Sequence, residues 1–132
     1  MTGGGLRPPH SPRDRAARKR AEARGRRAET LSAWLLRVKG YRILARRFRT
    51  PAGELDIVAR RGRTIAFVEV KAQADFEAAI LSITPHQQAR IMRAALLFVA
   101  SRPGLVDLNM RFDVMLAAPW RLPVHMRNAW TE

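Results

Sequence analysis

Glu69 and Lys71 stand two residues apart in Phe67-Val68-Glu69-Val70-Lys71, and Asp56 closes the earlier run Gly53-Glu54-Leu55-Asp56. On a strand, successive side chains alternate between faces, so Glu69 and Lys71 share one face while Val68 and Val70 fill the other. Ile65 and Phe67 precede them on the same face, which therefore begins apolar and ends charged. Leu55 and Ile57 alternate with Glu54 and Asp56 in the same way. If the two segments pair through a tight turn at Arg61-Gly62-Arg63, Asp56 and Glu69 converge near one end of a sheet. Two hard oxygen ligands with open coordination positions suit Mg²⁺ or Mn²⁺. Such an ion polarises a phosphoryl oxygen and activates water, and Lys71 is placed to hold that water or the developing charge.

The elements that position these residues are readable from punctuation and periodicity. Gly3-Gly4-Gly5 and Pro8-Pro9 argue against regular structure in the first ten residues, and Ser11-Pro12 supplies a cap and a first-turn proline for a helix. Apolar spacing becomes helical at Leu31, Trp34, Leu35 and Val38, and Gly40 ends that helix. Strands are expected near Tyr41–Phe48, Glu54–Arg60 and Thr64–Lys71, joined as an antiparallel meander with Thr50-Pro51-Ala52-Gly53 as its first turn. Residues Ala72–Ile83 read as a loop or a short helix at the rim of the site. Thr84-Pro85 opens a helix through about Ser101 with an apolar stripe of Ile91, Ala95, Leu96 and Val99, and Arg102-Pro103-Gly104 stops it. Met110–Ala117 and Val124–Trp130 read as two further strands. Asp113 alternates out from Phe112 and Val114 and is expected to be structural. Trp34, Trp120 and Trp130 are expected to pack rather than to stack bases, and His86 at a helix start is more often incidental than a phosphate contact.

The chain has 132 residues, no cysteine and a net charge of +14. That length suits one core, and the absence of cysteine excludes disulfides, thiolate zinc sites and cysteine nucleophiles. Strong positive charge attracts polyanions, so nucleic acid is the leading partner. The longest apolar run, Ala94–Ala100, is too short to span a bilayer, and the arginine-rich start lacks the apolar segment of a secretory signal. A cytoplasmic location is expected. Nine basic residues against Asp14 and Glu22 in the first 27 residues carry half the net charge. The organisation expected is therefore a basic, flexible arm over residues 1–27 and one domain over 28–132. Arg42, Arg46, Arg47 and Arg49 flank the first strand, where they form either a phosphate track or ordinary protection of a sheet edge.

Asp56 followed by Glu69-x-Lys71 after an apolar strand resembles the PD-(D/E)xK nucleases, the restriction-endonuclease-like superfamily. From about Ala28 onward the chain also resembles the YraN-like family of small bacterial proteins, on the landmarks Ala28-Glu29, Gly40-Tyr41-Arg42-Ile43-Leu44, Gly53-Glu54-Leu55-Asp56-Ile57-Val58, Phe67-Val68-Glu69-Val70-Lys71 and Arg111-Phe112-Asp113-Val114. The resemblance implies an α/β restriction-endonuclease-like fold in three layers, a mixed central sheet flanked by helices, similar to archaeal Holliday-junction resolvases. It implies Asp56, Glu69 and the backbone carbonyl of Val70 as metal ligands, Lys71 as the catalytic lysine and Glu29 as the helix carboxylate. Gln73 stands where that pattern often has arginine and Gln87 where it has lysine. Both can still hydrogen-bond phosphate or base edges. The activity implied is Mg²⁺- or Mn²⁺-dependent cleavage of DNA, branched DNA included, with a homodimer by analogy. The alternative is a nucleic-acid-binding module of the same fold that does not cleave, and a basic ribosome-associated protein is a third candidate.

Overall fold

The computed structural model describes residues 11–72, 75–118 and 121–130. Helix α1 runs from Pro12 to Val38, followed by β1 (Arg42–Thr50), β2 (Gly53–Arg61), β3 (Thr64–Lys71), α2 (Phe76–Leu81), α3 (Pro85–Ala100), a 3-10 turn (Pro103–Leu105), β4 (Asn109–Leu116) and β5 (Val124–Trp130). The sheet order is β1-β2-β3-β4-β5. The first three strands are an antiparallel meander, β3 and β4 are parallel, and β5 returns antiparallel to β4. The α2–α3 segment supplies the long crossover that a parallel pair requires.

Local chemistry explains the boundaries. The Ser11 side chain accepts a hydrogen bond from the Asp14 N–H at 3.1 Å, and Pro12 occupies the first turn, where its missing N–H costs nothing. Gly40 ends the helix with φ of 93°, a left-handed conformation that other residues avoid. Thr84 and Pro85 open α3 in the same manner as Ser11 and Pro12 open α1. The β2–β3 turn needs φ of 61° at Gly62, while the β1–β2 turn is tied by Thr50 Oγ1, which donates to the Gly53 carbonyl at 2.7 Å.

One helix covers each face of the sheet, giving a three-layer α/β architecture with a mixed central sheet. On one face, Ala33 and Leu36 of α1 pack on Tyr41, Ile57, Ala59, Ala66, Val68 and Met115. On the other, Ile91, Ala94, Ala95 and Phe98 of α3 pack on Leu55, Val58, Ile65, Phe67, Phe112 and Val114. Phe98 meets Phe48 and Phe67 edge-on with centroids 5.0 and 6.2 Å away, and Phe67, Phe112 and Trp130 stack in sequence at 5.7 and 5.5 Å. These geometries suit the ring quadrupoles.

Three expectations change. The buried face of α1 is Ala28, Glu29, Ser32, Ala33 and Leu36, not the larger apolar stripe, and Trp34 is 60% exposed with Arg37 over its ring. Small residues win that face because the helix must approach the sheet closely. On α3, Leu96 is exposed and Phe98 takes the central core position. Finally, the helix expected to open at Ser11-Pro12 and the one expected to carry Glu29 are a single helix, Pro12–Val38. Gln73, Trp120 and the first ten residues lie outside the described residues. No helix among the described residues is long and apolar enough to cross a membrane.

Candidate functional site

The site lies where β2 and β3 separate. Their ladder runs from Arg61–Thr64 to Ile57–Val68. Beyond it, the Val70 N–H donates not to a β2 carbonyl but to Asp56 Oδ2, at 2.8 Å. The strand alternation of β2 breaks at the same point. Leu55 packs in the α3 cluster while Ile57 packs in the α1 cluster, so Asp56 occupies the fork between the strands. A strand residue projects its N–H and C=O to the same edge, so the Val70 carbonyl also faces this fork.

Glu69 and Lys71 keep the face expected of them, continuing from Ile65 and Phe67 of the α3 cluster. Asp56 and Glu69 are half-buried neighbours, each affecting the charge of the other. Burial pushes the Asp56 carboxyl above its ordinary range, against the stabilising Val70 hydrogen bond and the Lys71 charge. Burial, reinforced by the charge of Asp56, pushes Glu69 up to about 8. Lys71 draws both carboxyls the other way by charge alone. Two neighbouring half-buried acids cannot both ionise cheaply.

Glu29 is brought to the same place from α1. It lines a cavity of about 390 Å³ together with Asp56, Val70, Arg47 and Glu54. Glu29 is 6% exposed and its two oxygens are occupied: Arg46 Nε donates to Oε1 at 2.8 Å, and Arg47 Nε donates to Oε2. Arg47 has φ of 50°, and this left-handed residue interrupts the alternation of β1. As a result Arg46 turns toward α1 while Phe48, two residues on, packs under α3. The four β1 arginines therefore do not act as one row. Arg46 and Arg47 clamp Glu29, Arg49 pairs with Glu54 at 3.3 Å on the surface, and Arg42 lies at the other end of β1 opposite Arg60.

Gln87 does reach the site. It lines a second cavity, of about 90 Å³, with Glu69, Glu54 and Arg90. His86 beside it is exposed. Gln73 lies outside the described residues. Arg90 was not singled out from the sequence, although its spacing of three from Gln87 puts it on the same helix face. Its guanidinium approaches Gly53, where an added Cβ would meet it at 3.5 Å. Glu22, Gly25 and Arg26 of α1 also border the Asp56 cavity, and sequence patterning assigned them to the basic arm instead.

Asp113 stays away from this group. It is fully buried and accepts from Arg111 Nε and Arg111 NH2, both at 2.8 Å, from His125 Nε2 at 2.8 Å and from the Asn128 N–H at 2.9 Å. It is structural, as its alternation suggested.

Asp56, Glu69 and the Val70 carbonyl are oxygen donors of the kind a hard divalent cation takes, and the Glu29 carboxylate lines the same cavity as Asp56 and Val70. Among the described residues no group of three or more acidic or histidine side chains converges as a ready-made ligand cluster, and Glu29 is held by Arg46 and Arg47.

Fold and site together define a three-layer α/β domain that presents paired acids and a lysine at the end of its two central strands. The chain belongs to uncharacterised protein family UPF0102, whose model matches residues 28–117. This is the YraN-like family to which the ordered motifs pointed. Similar relatives are the UPF0102 protein of Parvibaculum lavamentivorans, 53% identical over 106 residues covering 80% of each chain, and that of Paramagnetospirillum magneticum, 52% identical over 118 residues covering 86% of this chain and 92% of the relative. The UPF0102 protein of Methylorubrum populi is 46% identical over 125 residues, covering 95% of this chain and 98% of its own.

Proposed function

We propose that this protein is a metal-dependent endonuclease acting on DNA, branched DNA included. The observation that carries the reading is the fork at Asp56 and Glu69, where two neighbouring acids are half-buried and Lys71 shares the face of Glu69. Asp56, Glu69 and the Val70 carbonyl would hold Mg²⁺ or Mn²⁺, which supplies polarisation of a phosphoryl oxygen and a more acidic water. Lys71 orients that water and stabilises charge developing on the phosphate. Gln87 and Arg90 border Glu69 and are placed to hold the substrate backbone, a contact that positions without reading sequence.

The clamp on Glu29 supports a second reading, a nucleic-acid-binding module that does not cleave, since a carboxylate already satisfied by two guanidiniums gains less from a metal. Metal-dependent cleavage separates the two. With Mg²⁺ or Mn²⁺ and four-way junction DNA, the endonuclease cleaves, and Asp56→Ala or Lys71→Ala lowers the rate at least a hundredfold with binding retained. Binding without cleavage by the wild type, on junction and linear duplex alike, would leave only the module.

A further inference from the structure

We propose that the N-terminal half of α1 is a probe for the major groove of a DNA duplex, and that it leads one strand of that duplex into the Asp56 cavity. The first buried residue of α1 is Ala28, and residues 12–27 are exposed apart from the half-buried Ala23. At 1.5 Å per residue this is about 24 Å of projecting helix. It projects past the site end of the sheet: Arg24, Arg27 and Leu31 share a cavity with Ala72 and Ala117, which follow β3 and β4, while Gly25 and Arg26 border the cavity of Asp56.

Seven of the eight basic residues of this half fall into two stripes, and Arg18 lies outside both. Arg13, Arg20, Arg24 and Arg27 follow one another at spacings of seven, four and three, and Arg15, Lys19 and Arg26 at spacings of four and seven. Each series forms a stripe along the helix. The two stripes lie about 130° apart, and the arc between them holds Ala16 and Ala23. A slim face between two basic shoulders matches a helix seated in a major groove about 12 Å wide, each shoulder following one phosphate backbone. The deep, narrow major groove of A-form RNA does not admit such a helix, and a single strand offers only one backbone. An anionic membrane would demand large apolar residues on this half, and after Pro12 its apolar side chains are alanines only. The shoulder of Arg15, Lys19 and Arg26 ends at the Asp56 cavity, so the strand it follows is the one presented to the site.

Only that last step rests on the nuclease reading; the groove contact stands on charge and shape alone. The test is equilibrium binding of the full chain in EDTA, by fluorescence anisotropy, to a 20-base-pair DNA duplex, the RNA duplex of equal sequence, its DNA single strand, and phosphatidylglycerol vesicles. Two variants, Arg13→Gln/Arg20→Gln/Arg24→Gln and Arg15→Gln/Lys19→Gln, each neutralise one stripe except for its last arginine, using a good helix former, and circular dichroism checks that α1 persists. The expected result is preference for the DNA duplex, more than tenfold loss in either variant, and a salt slope shallower by about 2 to 3. Equal affinity for the RNA duplex or the single strand, preference for vesicles, or sensitivity to one stripe alone would overturn the proposal. Stripe-dependent duplex binding without any cleavage in Mn²⁺ supports the groove contact while removing the nuclease reading, and cleavage with stripe-insensitive binding does the reverse.

Discussion

Two groups of acids are sheltered in the same sheet, and they are treated in opposite ways. Asp113 on β4 is fully buried, yet its carboxyl lies at about 2. Against the desolvation that burial imposes, hydrogen bonds from His125, Arg111 and Asn128 stabilise its charge. The network closes on itself. Lys39 has only donors, so it donates to His125 Nδ1 at 2.6 Å, and the other ring nitrogen donates to Asp113. Arg111 also donates to the Tyr41 hydroxyl. Asp56 and Glu69, less buried, are pushed upward because burial, joined at Glu69 by the charge of Asp56, outweighs the Val70 hydrogen bond to Asp56 and the charge of Lys71. Complete neutralisation marks the structural acid, and incomplete neutralisation marks the pair to which the proposed cation would bind.

Removing an acid from each group should break this contrast most sharply. Asp113→Ala leaves Arg111 and His125 without their shared partner and should cost about 3–5 kcal/mol in urea unfolding. Asp56→Asn in metal-free buffer should leave stability unchanged or raise it, because it relieves the repulsion on Glu69. A large loss in Asp56→Asn would erase the distinction.

Titration sharpens the contrast next. The folded Asp113 carboxyl lies below its ordinary 3.8, so its stabilisation is complete above that value and is lost as pH falls toward about 2. Glu69 runs the other way: between 4.5 and about 8 the unfolded chain has released a proton that the folded chain keeps, so stability falls as pH rises through that window. Glu69→Gln should flatten this fall. A bound cation removes the same penalty, so Mn²⁺ at a hundred times its dissociation constant should stabilise the chain by about 2.7 kcal/mol. Because protons compete for the ligands, the gain in thermal midpoint should be larger at pH 8 than at pH 5, and chelation should abolish it. An equal gain at both values would argue for binding elsewhere.

Glu29 stands between the two groups, satisfied by cations yet open to the Asp56 cavity. Glu29→Gln should cost only about 1 kcal/mol, since Arg46 and Arg47 remain partly exposed and regain water. If Glu29 completes the metal site, the same substitution should also weaken the Mn²⁺-induced rise in thermal midpoint. A cost like that of Asp113→Ala, with the metal response intact, would make Glu29 structural.

Much of this molecule was legible in its residues. Ser11-Pro12, Gly40, Thr84-Pro85 and Arg102-Pro103-Gly104 mark element ends through backbone chemistry that acts within a few residues, and the strands follow from period-two alternation. The shared face of Glu69 and Lys71 is the same kind of local fact. Leu31, Trp34 and Val38 misled because periodicity reports an apolar stripe without saying which stripe the sheet accepts, and the flat sheet face took Ala33 and Leu36 instead.

Asp56 could be named from its spacing, but its place in the fork depends on β2 and β3 parting after Ile57–Val68, which alternation alone does not reveal. The grip of Arg46 and Arg47 on Glu29 depends on a left-handed residue at position 47, and the burial of Asp113 on β5 lying beside β4. The amino-acid order by itself determined the elements, the abundance of positive charge and the chemistry on offer, because each arises from residues near one another in the chain. Which acid meets which cation was decided only by the tertiary structure, because neutralising a sheltered charge requires partners that folding alone brings within hydrogen-bond reach.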